Sequence, residues 1–131
     1  MTKVIAFGAF DPLHEGHKDF LRQAKELGEY LIVVVAHDDA VRAYKKREPH
    51  LIETERAAQV RTLPDVDEAI VGPTSVDPYH VLGQLEFDII AMGFNQQPSD
   101  EFVRRALDER GKQSVKIIRL KPYQPERYRP D

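Results

Sequence analysis

Short apolar runs alternate along the chain with longer segments whose apolar residues recur every three or four positions. The short runs predict five strands, at residues 4–7, 30–36, 69–71, 88–92 and 115–120. The second run, YLIVVVA, is apolar on both faces, which is typical of a central strand in a parallel sheet. The alternation of the two patterns predicts an α/β protein.

Helical segments separate these runs. Residues 17–27 place one apolar stripe on a helix that ends at Gly28, and residues 53–63 carry a second stripe. Together with a helix ahead of residue 53, they give the first half of the order β-α-β-α-α-β-α-β-α-β.

Capping signals mark the helices of the second half. Pro78, with Asp77 before it as a cap, is expected to begin one helix. Ser99 is expected to cap another, which Gly111 closes.

Strands that are separated by helices need right-handed crossovers. The predicted fold is therefore a single-domain, Rossmann-like α/β fold: a doubly wound parallel sheet of five strands, in order 3-2-1-4-5, with helices on both faces. The domain is expected to span residues 1–121. Residues 122–131 hold three prolines and no periodic apolar face, which predicts a Pro-rich tail.

Composition narrows the class of protein. Nineteen basic against 22 acidic residues leave a net charge of -3, which gives no overall positive field for a nucleic acid. The chain has no cysteine, so disulfides, thiolate metal sites and cysteine nucleophiles are excluded. The first apolar run stops at Gly8, too early for a signal peptide or a membrane helix. We expect a cytoplasmic protein with no nucleic-acid or membrane partner.

In an open α/β sheet the ligand lies beyond the carboxyl ends of the strands, where the strand order reverses. That rule selects the loop GAFDPLHEGH after the first strand and the loop GFNQQPS after the fourth. The first loop places His14 and His17 around Gly16 at the start of a helix, expected at about residue 17. Free N–H groups there attract an anion, and two imidazoles can converge on an oxygen-rich group. The sequence predicts a site for an anionic, oxygen-rich group, with both histidines outside the core.

Two other uses of this loop are disfavoured. HEGH is one residue shorter than the metalloprotease motif H-E-x-x-H, and no cysteine offers a further zinc ligand. The dinucleotide fingerprint G-x-G-x-x-G is absent, because Gly8 is followed by Ala9 and Phe10.

The loop His14-Glu15-Gly16-His17, preceded by Gly8-Ala9-Phe10-Asp11, resembles the HxGH type of cytidylyltransferase-like nucleotidyltransferases. The likeness runs from about residue 3 to about residue 120 and is strongest to archaeal-type FAD synthetases and glycerol-3-phosphate cytidylyltransferases. The blocks that carry it are KVIAFGAFDPLHEGH, VVVAHDD, KKR, ETERAAQVRTL, VDEAIVG and IIAMGFNQ.

The resemblance implies a reaction. A phosphate monoester attacks the α-phosphorus of ATP or CTP, commonly with Mg²⁺, and pyrophosphate leaves. FMN is the favoured acceptor. An alcohol phosphate such as glycerol 3-phosphate is the alternative, and a nucleotide-binding module without turnover is the rival outside the enzymes. Relatives of this kind are often homodimers.

The resemblance also assigns roles to individual residues. It implies catalytic roles for His14, His17 and Lys45, and acceptor contacts for Asp11, Asp38 and Lys46. The residues it places at the nucleotide are Phe7, Gly8, Ala9, Phe10, Gly16, Arg56, Gly93, Asn95 and Gln96.

Some of these residues also have ordinary structural interpretations. Asp11 can cap the loop before Pro12, and Asp39 or His37 can take the place of Asp38. The basic run from Lys45 to Arg47 can be a solvated helix end. Arg56 can form a surface salt bridge with Glu53 or Glu55.

Two features depart from the family pattern. Gly93-Phe94-Asn95-Gln96 stands where relatives show G-D-D-W or G-Y-D-Q, so an amide replaces a carboxylate at Asn95. Relatives also carry a Ser/Thr-rich segment after the last strand, whereas this chain has no serine or threonine after Ser114. We expect arginine or lysine side chains, from Arg119, Lys121, Arg127 or Arg129, to stand in for that segment.

Overall fold

The structure, a computed structural model, describes residues 1–72, 78–94, 96 and 99–121. Its centre is one five-stranded sheet in the order β3-β2-β1-β4-β5, and every neighbouring pair is parallel. The strands are β1 (Lys3–Gly8), β2 (Tyr30–Val35), β3 (Glu68–Val71), β4 (Ile89–Met92) and β5 (Lys116–Arg119). The predicted fold class and strand order are confirmed.

In the described part of the chain, four α-helices accompany the strands: α1 (Glu15–Glu26), α2 (Asp38–Lys45), α3 (Glu53–Arg61) and α4 (Asp100–Glu109). The predicted ends of α4 are confirmed, because the Ser99 hydroxyl accepts the N–H of Phe102 and Gly111 closes the helix with a φ of +74°. Helix α1 begins two residues before the expected residue 17. The cause is the His14 side chain, which caps the helix.

The helix expected from Pro78 is a short 3₁₀ helix, Pro78–Gly83, so the prediction of an α-helix there is wrong. The segment is six residues long and ends in glycine, too short to propagate i→i−4 hydrogen bonds. It is followed by a tighter bond, from the N–H of Gln84 to the carbonyl of Val81. Asp77 lies outside the described residues.

The core has two layers, one on each face of the sheet. On β1, Val4 and Ala6 face the layer under α1 and α3, whereas Ile5 faces the layer under the 3₁₀ helix and α4. This alternation is the two-residue period of a strand. It confirms that helices cover both faces of the sheet.

Beyond β5, the side-chain amide of Gln23 on α1 exchanges two hydrogen bonds of 3.0 Å with the backbone N–H and carbonyl of Lys121.

The tail expected at residues 122–131 lies outside the described residues. Within the described part of the chain, no helix combines the length and apolar character needed to cross a membrane.

Candidate active site

The loop between β1 and α1 leaves the carboxyl end of the central strand. Ala9, Phe10 and Asp11 are all buried there. Phe10 has a φ of +54°, a conformation that costs a residue with a side chain about 1–2 kcal/mol. Its ring meets the His17 ring edge to face, with centroids 5.1 Å apart. This packing holds the His17 ring in place beside the loop.

His14 and His17 cap α1 reciprocally. His14 Nδ1 accepts the backbone N–H groups of Gly16, at 3.0 Å, and of His17, at 3.3 Å. His17 Nδ1 accepts the N–H of His14 at 3.2 Å. The two imidazoles stack with centroids 3.7 Å apart and planes 17° apart. The structure therefore brings the two predicted catalytic histidines together as a pair.

The capping geometry selects one tautomer of each neutral ring. Because each Nδ1 accepts an N–H, the proton of each neutral imidazole lies on Nε2. Each ring therefore has a hydrogen-bond donor at Nε2, the kind of group that stabilises a phosphate oxygen as charge builds on it.

Two expectations about this helix start are wrong. The N–H groups of Gly16 and His17 are not free, because the His14 side chain takes both. His17 does not lie outside the core either: it is fully buried, because α1 begins before it and turns its ring towards Phe10. The donors that remain at the start of α1 are thus the imidazole groups and not these two backbone N–H groups.

Asp11 is the buried acid of the same loop. Its Oδ2 accepts from Arg47 Nη1, at 2.9 Å, and from the N–H of His50, at 2.7 Å, while its Oδ1 accepts from the N–H of Leu51 at 3.0 Å. Burial raises the pKa of Asp11, but these hydrogen bonds outweigh it and hold the pKa below its ordinary value. The carboxylate is enclosed by these contacts, and its predicted contact with an acceptor stays a prediction.

Acid should weaken the fold through such carboxylates. The pKa of Asp67 is also lowered, since its hydrogen bonds from Lys25 and the N–H of Leu31 outweigh the effect of burial. A lowered folded-state pKa stabilises the protein above the unfolded value of about 3.9, and this stabilisation is lost as pH falls through the folded value. We expect the free energy of unfolding, measured in urea between pH 7 and 3, to fall below about pH 4. Asp67→Asn should flatten that decline, and an unchanged slope would contradict this assignment.

Arg56 on α3 is fully buried, so the alternative of a surface salt bridge is wrong. Its guanidinium donates to the carbonyl of Leu51 at 2.9 Å, to the carbonyl of Ala9 at 2.8 Å and to Asp38 Oδ1 at 2.6 Å. It thereby joins the histidine loop, the start of α2 and the start of α3. Its predicted contact with a nucleotide stays a prediction.

Asp38 begins α2 and lies mostly buried beside Arg56. Burial raises the pKa of Asp38, whereas hydrogen bonding with Glu53 and with Arg56 lowers it by more, so the pKa lies below its ordinary value. His37 caps α2 through Nδ1, which accepts the N–H of Asp39, and its Nε2 lies 3.2 Å from Glu53 Oε1. Asp38, His37 and Glu53 therefore form one network, and the acceptor contact of Asp38 stays a prediction.

The basic segment ends α2. Lys45 is the last residue of the helix, and Lys46 follows it with a φ of +57°; both are exposed. Arg47 turns back to Asp11, donating to its carboxylate from Nη1 and to its backbone carbonyl, at 3.1 Å, from Nη2. Arg47 thus ties the segment to the histidine loop, and the roles of Lys45 and Lys46 stay predictions.

The second selected loop follows β4, beside β1. The Gln96 amide donates to the carbonyl of Phe7 at 3.0 Å and accepts the N–H of Gly93 at 3.0 Å, so it bridges the ends of the two strands. Arg119 on β5 donates to the carbonyls of Gly93 and Gln96 and to Asp100. Sequence reasoning missed this bracing role of Arg119. Asn95 lies outside the described residues.

A metal held by protein side chains needs several ligands close together, and the described residues do not supply them. Among them, no three histidine, aspartate or glutamate side chains converge as metal ligands do. Asp11, the buried acid of the histidine loop, already accepts three hydrogen bonds. The donor set of this part of the chain therefore does not fit a metal held by protein ligands alone.

Comparison with known proteins agrees with this geometry. The cytidylyltransferase-like family model matches residues 5–126. The FAD synthase of Thermococcus onnurineus is 42% identical over 121 residues, covering 92% of this chain and 79% of the relative. The FAD synthase of Korarchaeum cryptofilum is 43% identical over 122 residues, covering 90% and 80%.

A solved structure extends the likeness to three dimensions. The lipopolysaccharide core biosynthesis protein of Thermoplasma volcanium matches with a TM-score of 0.85 and 34% sequence identity, covering 95% of this chain and 99% of that one. The family model and the curated relatives both span nearly the whole domain, including the histidine loop. This chain therefore belongs to the cytidylyltransferase-like family.

Proposed function

We propose that the protein is an FAD synthase, a nucleotidyltransferase that joins FMN to the adenylyl group of ATP and releases pyrophosphate. The observation that carries the proposal is the stacked His14 and His17 pair at the carboxyl end of β1, in a chain similar to archaeal FAD synthases. The similarity to these relatives suggests the substrates, and the histidine pair suggests how the phosphate charge is stabilised.

The reaction needs no covalent enzyme intermediate. A phosphate oxygen of FMN forms a bond to the α-phosphorus of ATP, while the bond from that phosphorus to the bridging oxygen of the β-phosphate breaks. The electron pair of the broken bond leaves with pyrophosphate. The enzyme contributes position and charge, and the Nε2–H groups of His14 and His17 are proposed to donate to the phosphate oxygens that gain charge.

Nucleotidyltransferases of this kind generally use a divalent metal. We propose Mg²⁺, entering as the complex with the triphosphate, because the described side chains do not assemble a metal centre of their own. The residues proposed to meet the rest of the nucleotide are those at the ends of β1 and β4, together with Asn95.

Lys45 and Lys46 are proposed to attract the phosphates of the substrates. Charge binds phosphate without distinguishing the base, so Lys45→Ala and Lys46→Ala should raise KM for FMN or ATP more than they change the preference for ATP over CTP. Added salt should reproduce the effect in the wild type, since it screens the same attraction. Steady-state kinetics at low ionic strength check this. Equal KM values in mutant and wild type would mean that neither lysine attracts the substrates.

A product assay tests the proposed function. Purified protein is incubated with MgCl₂ and either FMN plus ATP, FMN plus CTP, or glycerol 3-phosphate plus CTP, and the flavin and nucleotide products are separated by chromatography. FAD from FMN and ATP supports the proposal. CDP-glycerol alone would identify a cytidylyltransferase, and ligand binding with no pyrophosphate released would identify a module without turnover.

We further propose a homodimer in the cytoplasm. The resemblance to dimeric relatives supports the first part, and the nucleotide substrates and cysteine-free chain support the second. Light scattering coupled to gel filtration tests the dimer: a mass near 15.1 kDa would mean a monomer.

A further inference from the structure

Arg47 is held differently from the two lysines that precede it. Its guanidinium makes a two-pronged contact with a single residue, since Nη1 lies 2.9 Å from Asp11 Oδ2 and Nη2 lies 3.1 Å from the Asp11 carbonyl. The Asp11 side chain is wholly buried, and about a third of the Arg47 side chain is exposed. A planar fork of this kind fixes orientation as well as distance, which an ammonium group does not do.

The same carboxylate holds the chain beyond Arg47. The N–H groups of His50 and Leu51 both donate to it, and the carbonyl of Leu51 in turn accepts from Arg56. The whole turn from Arg47 to Leu51 is therefore wrapped around one buried acid of the histidine loop. We call this arrangement, Asp11 with Arg47 and the N–H groups of His50 and Leu51, the Asp11 clamp.

The Asp11 clamp restricts the position of the two lysines that precede Arg47. Lys46 adopts the left-handed region, with a φ of +57°, so the chain reverses sharply between the end of α2 and Arg47. Consecutive Cα atoms are 3.8 Å apart, so the Cα of Lys45 lies within about 7.6 Å of the Cα of Arg47. Holding Arg47 on Asp11, three residues before His14, keeps both lysines beside the histidine loop.

We infer that Arg47 is a positioning residue for the transfer reaction: through the Asp11 clamp it holds the lysine segment against the histidine loop, and it does not itself contact substrate. The inference rests on the proposed function for its catalytic consequence alone. Its structural consequence is that the lysine segment opens when the clamp is broken, and this can be tested even if the protein shows no transferase activity.

The kinetic test is a double-mutant cycle with FMN and ATP. Arg47→Ala and Asp11→Asn should each lower kcat/KM by roughly 10–100-fold, because small displacements of positioned groups are costly, and kcat/KM of the double variant should be no lower than that of the more impaired single variant. Arg47→Lys should not restore the rate, since an ammonium cannot reproduce the fork. Arg22→Ala, which removes an exposed arginine of α1, is the matched control and should keep wild-type kinetics.

Limited proteolysis tests the clamp independently of turnover. Trypsin cleavage after Lys45, followed by mass spectrometry, should be at least about tenfold faster in Asp11→Asn and Arg47→Ala than in wild type or Arg22→Ala, because cleavage follows local opening. Asp11→Asn leaves the sequence around the cleavage site unchanged. Circular dichroism checks that each variant is folded.

Opposite results overturn the inference. Cleavage after Lys45 at the wild-type rate in both clamp variants would mean that the segment is not held there. Kinetic losses that multiply in the double variant, or recovery of the rate in Arg47→Lys, would mean that Arg47 acts on substrate directly. If the wild type makes no FAD, the proposed function fails, and the cleavage rates still decide whether the clamp exists.

Discussion

His14→Asn is expected to lower kcat for FAD formation about 10²–10³-fold, the usual cost of removing one donor to a developing phosphate charge. Asparagine is a good N-cap, so its side-chain oxygen can take over the N–H groups of Gly16 and His17 that His14 Nδ1 now accepts. The melting temperature should therefore stay near that of the wild type. Steady-state kinetics and a thermal melt check the two halves of the expectation.

His14→Ala is the matched control, because it removes both the imidazole and the cap. Its kcat should fall as far as that of His14→Asn, while its stability should drop by a further 0.5–2 kcal/mol or so, the usual worth of an N-cap. Wild-type turnover in His14→Asn would show that the imidazole serves only to start α1.

Arg56→Ala is expected to have the largest effect on stability. It leaves Asp38 charged and mostly buried without its guanidinium, and it removes the donor to the carbonyls of Ala9 and Leu51. Breaking a buried ion pair in this way costs about 3–5 kcal/mol, a large part of the 5–15 kcal/mol typical of a whole domain. Urea unfolding at pH 7 measures it.

Two further variants bracket this result. Arg22→Ala, which breaks exposed pairs with Asp19 and Glu26, should cost no more than about 1 kcal/mol. Adding Asp38→Asn to Arg56→Ala should recover part of the loss, since the unpaired charge is then gone. A loss below about 1 kcal/mol in Arg56→Ala would mean that water reaches the pair and that its burial matters little.

The fold could be predicted from the sequence because its signals are local. Apolar runs of strand length and helical stripes depend on residues within a few positions of one another, and crossovers between parallel strands have one hand. Residues 31–35 of the run YLIVVVA are buried along β2, and Ser99 and Gly111 mark the ends of α4 as expected. The 3₁₀ helix at Pro78 was not predicted, because a proline signals where a helix begins but not how long it is.

The pairing of the histidines was also local, since they stand three residues apart across one helix start. The hydrogen bonding at that helix start could not be predicted, because the sequence does not reveal which group accepts the N–H of Gly16. The buried ring of His17 packs against Phe10, and no sequence pattern predicts the positive φ of Phe10. A chain position that reverses through the left-handed region is visible only in the folded backbone.

Long-range contacts set the remaining roles. Asp11 meets Arg47 across 36 residues, and Gln96 meets Phe7 across 89. Charge runs and polar loops look alike whether their side chains bind a substrate or brace a neighbouring loop. The sequence therefore pointed to the loops after β1 and β4, but it did not separate the side chains that hold these loops together from those predicted to meet a ligand.

The most direct test of the account follows the phosphorus atoms of ATP. Wild-type protein with FMN, MgCl₂ and ATP labelled at the α-phosphorus should place the label in FAD, and ATP labelled at the γ-phosphorus should place it in pyrophosphate, with the two products formed one to one. His14→Asn should make both products at a rate lower by about 10²–10³. Binding of ATP and FMN by calorimetry with neither labelled product formed would contradict the account and leave a nucleotide-binding protein without turnover.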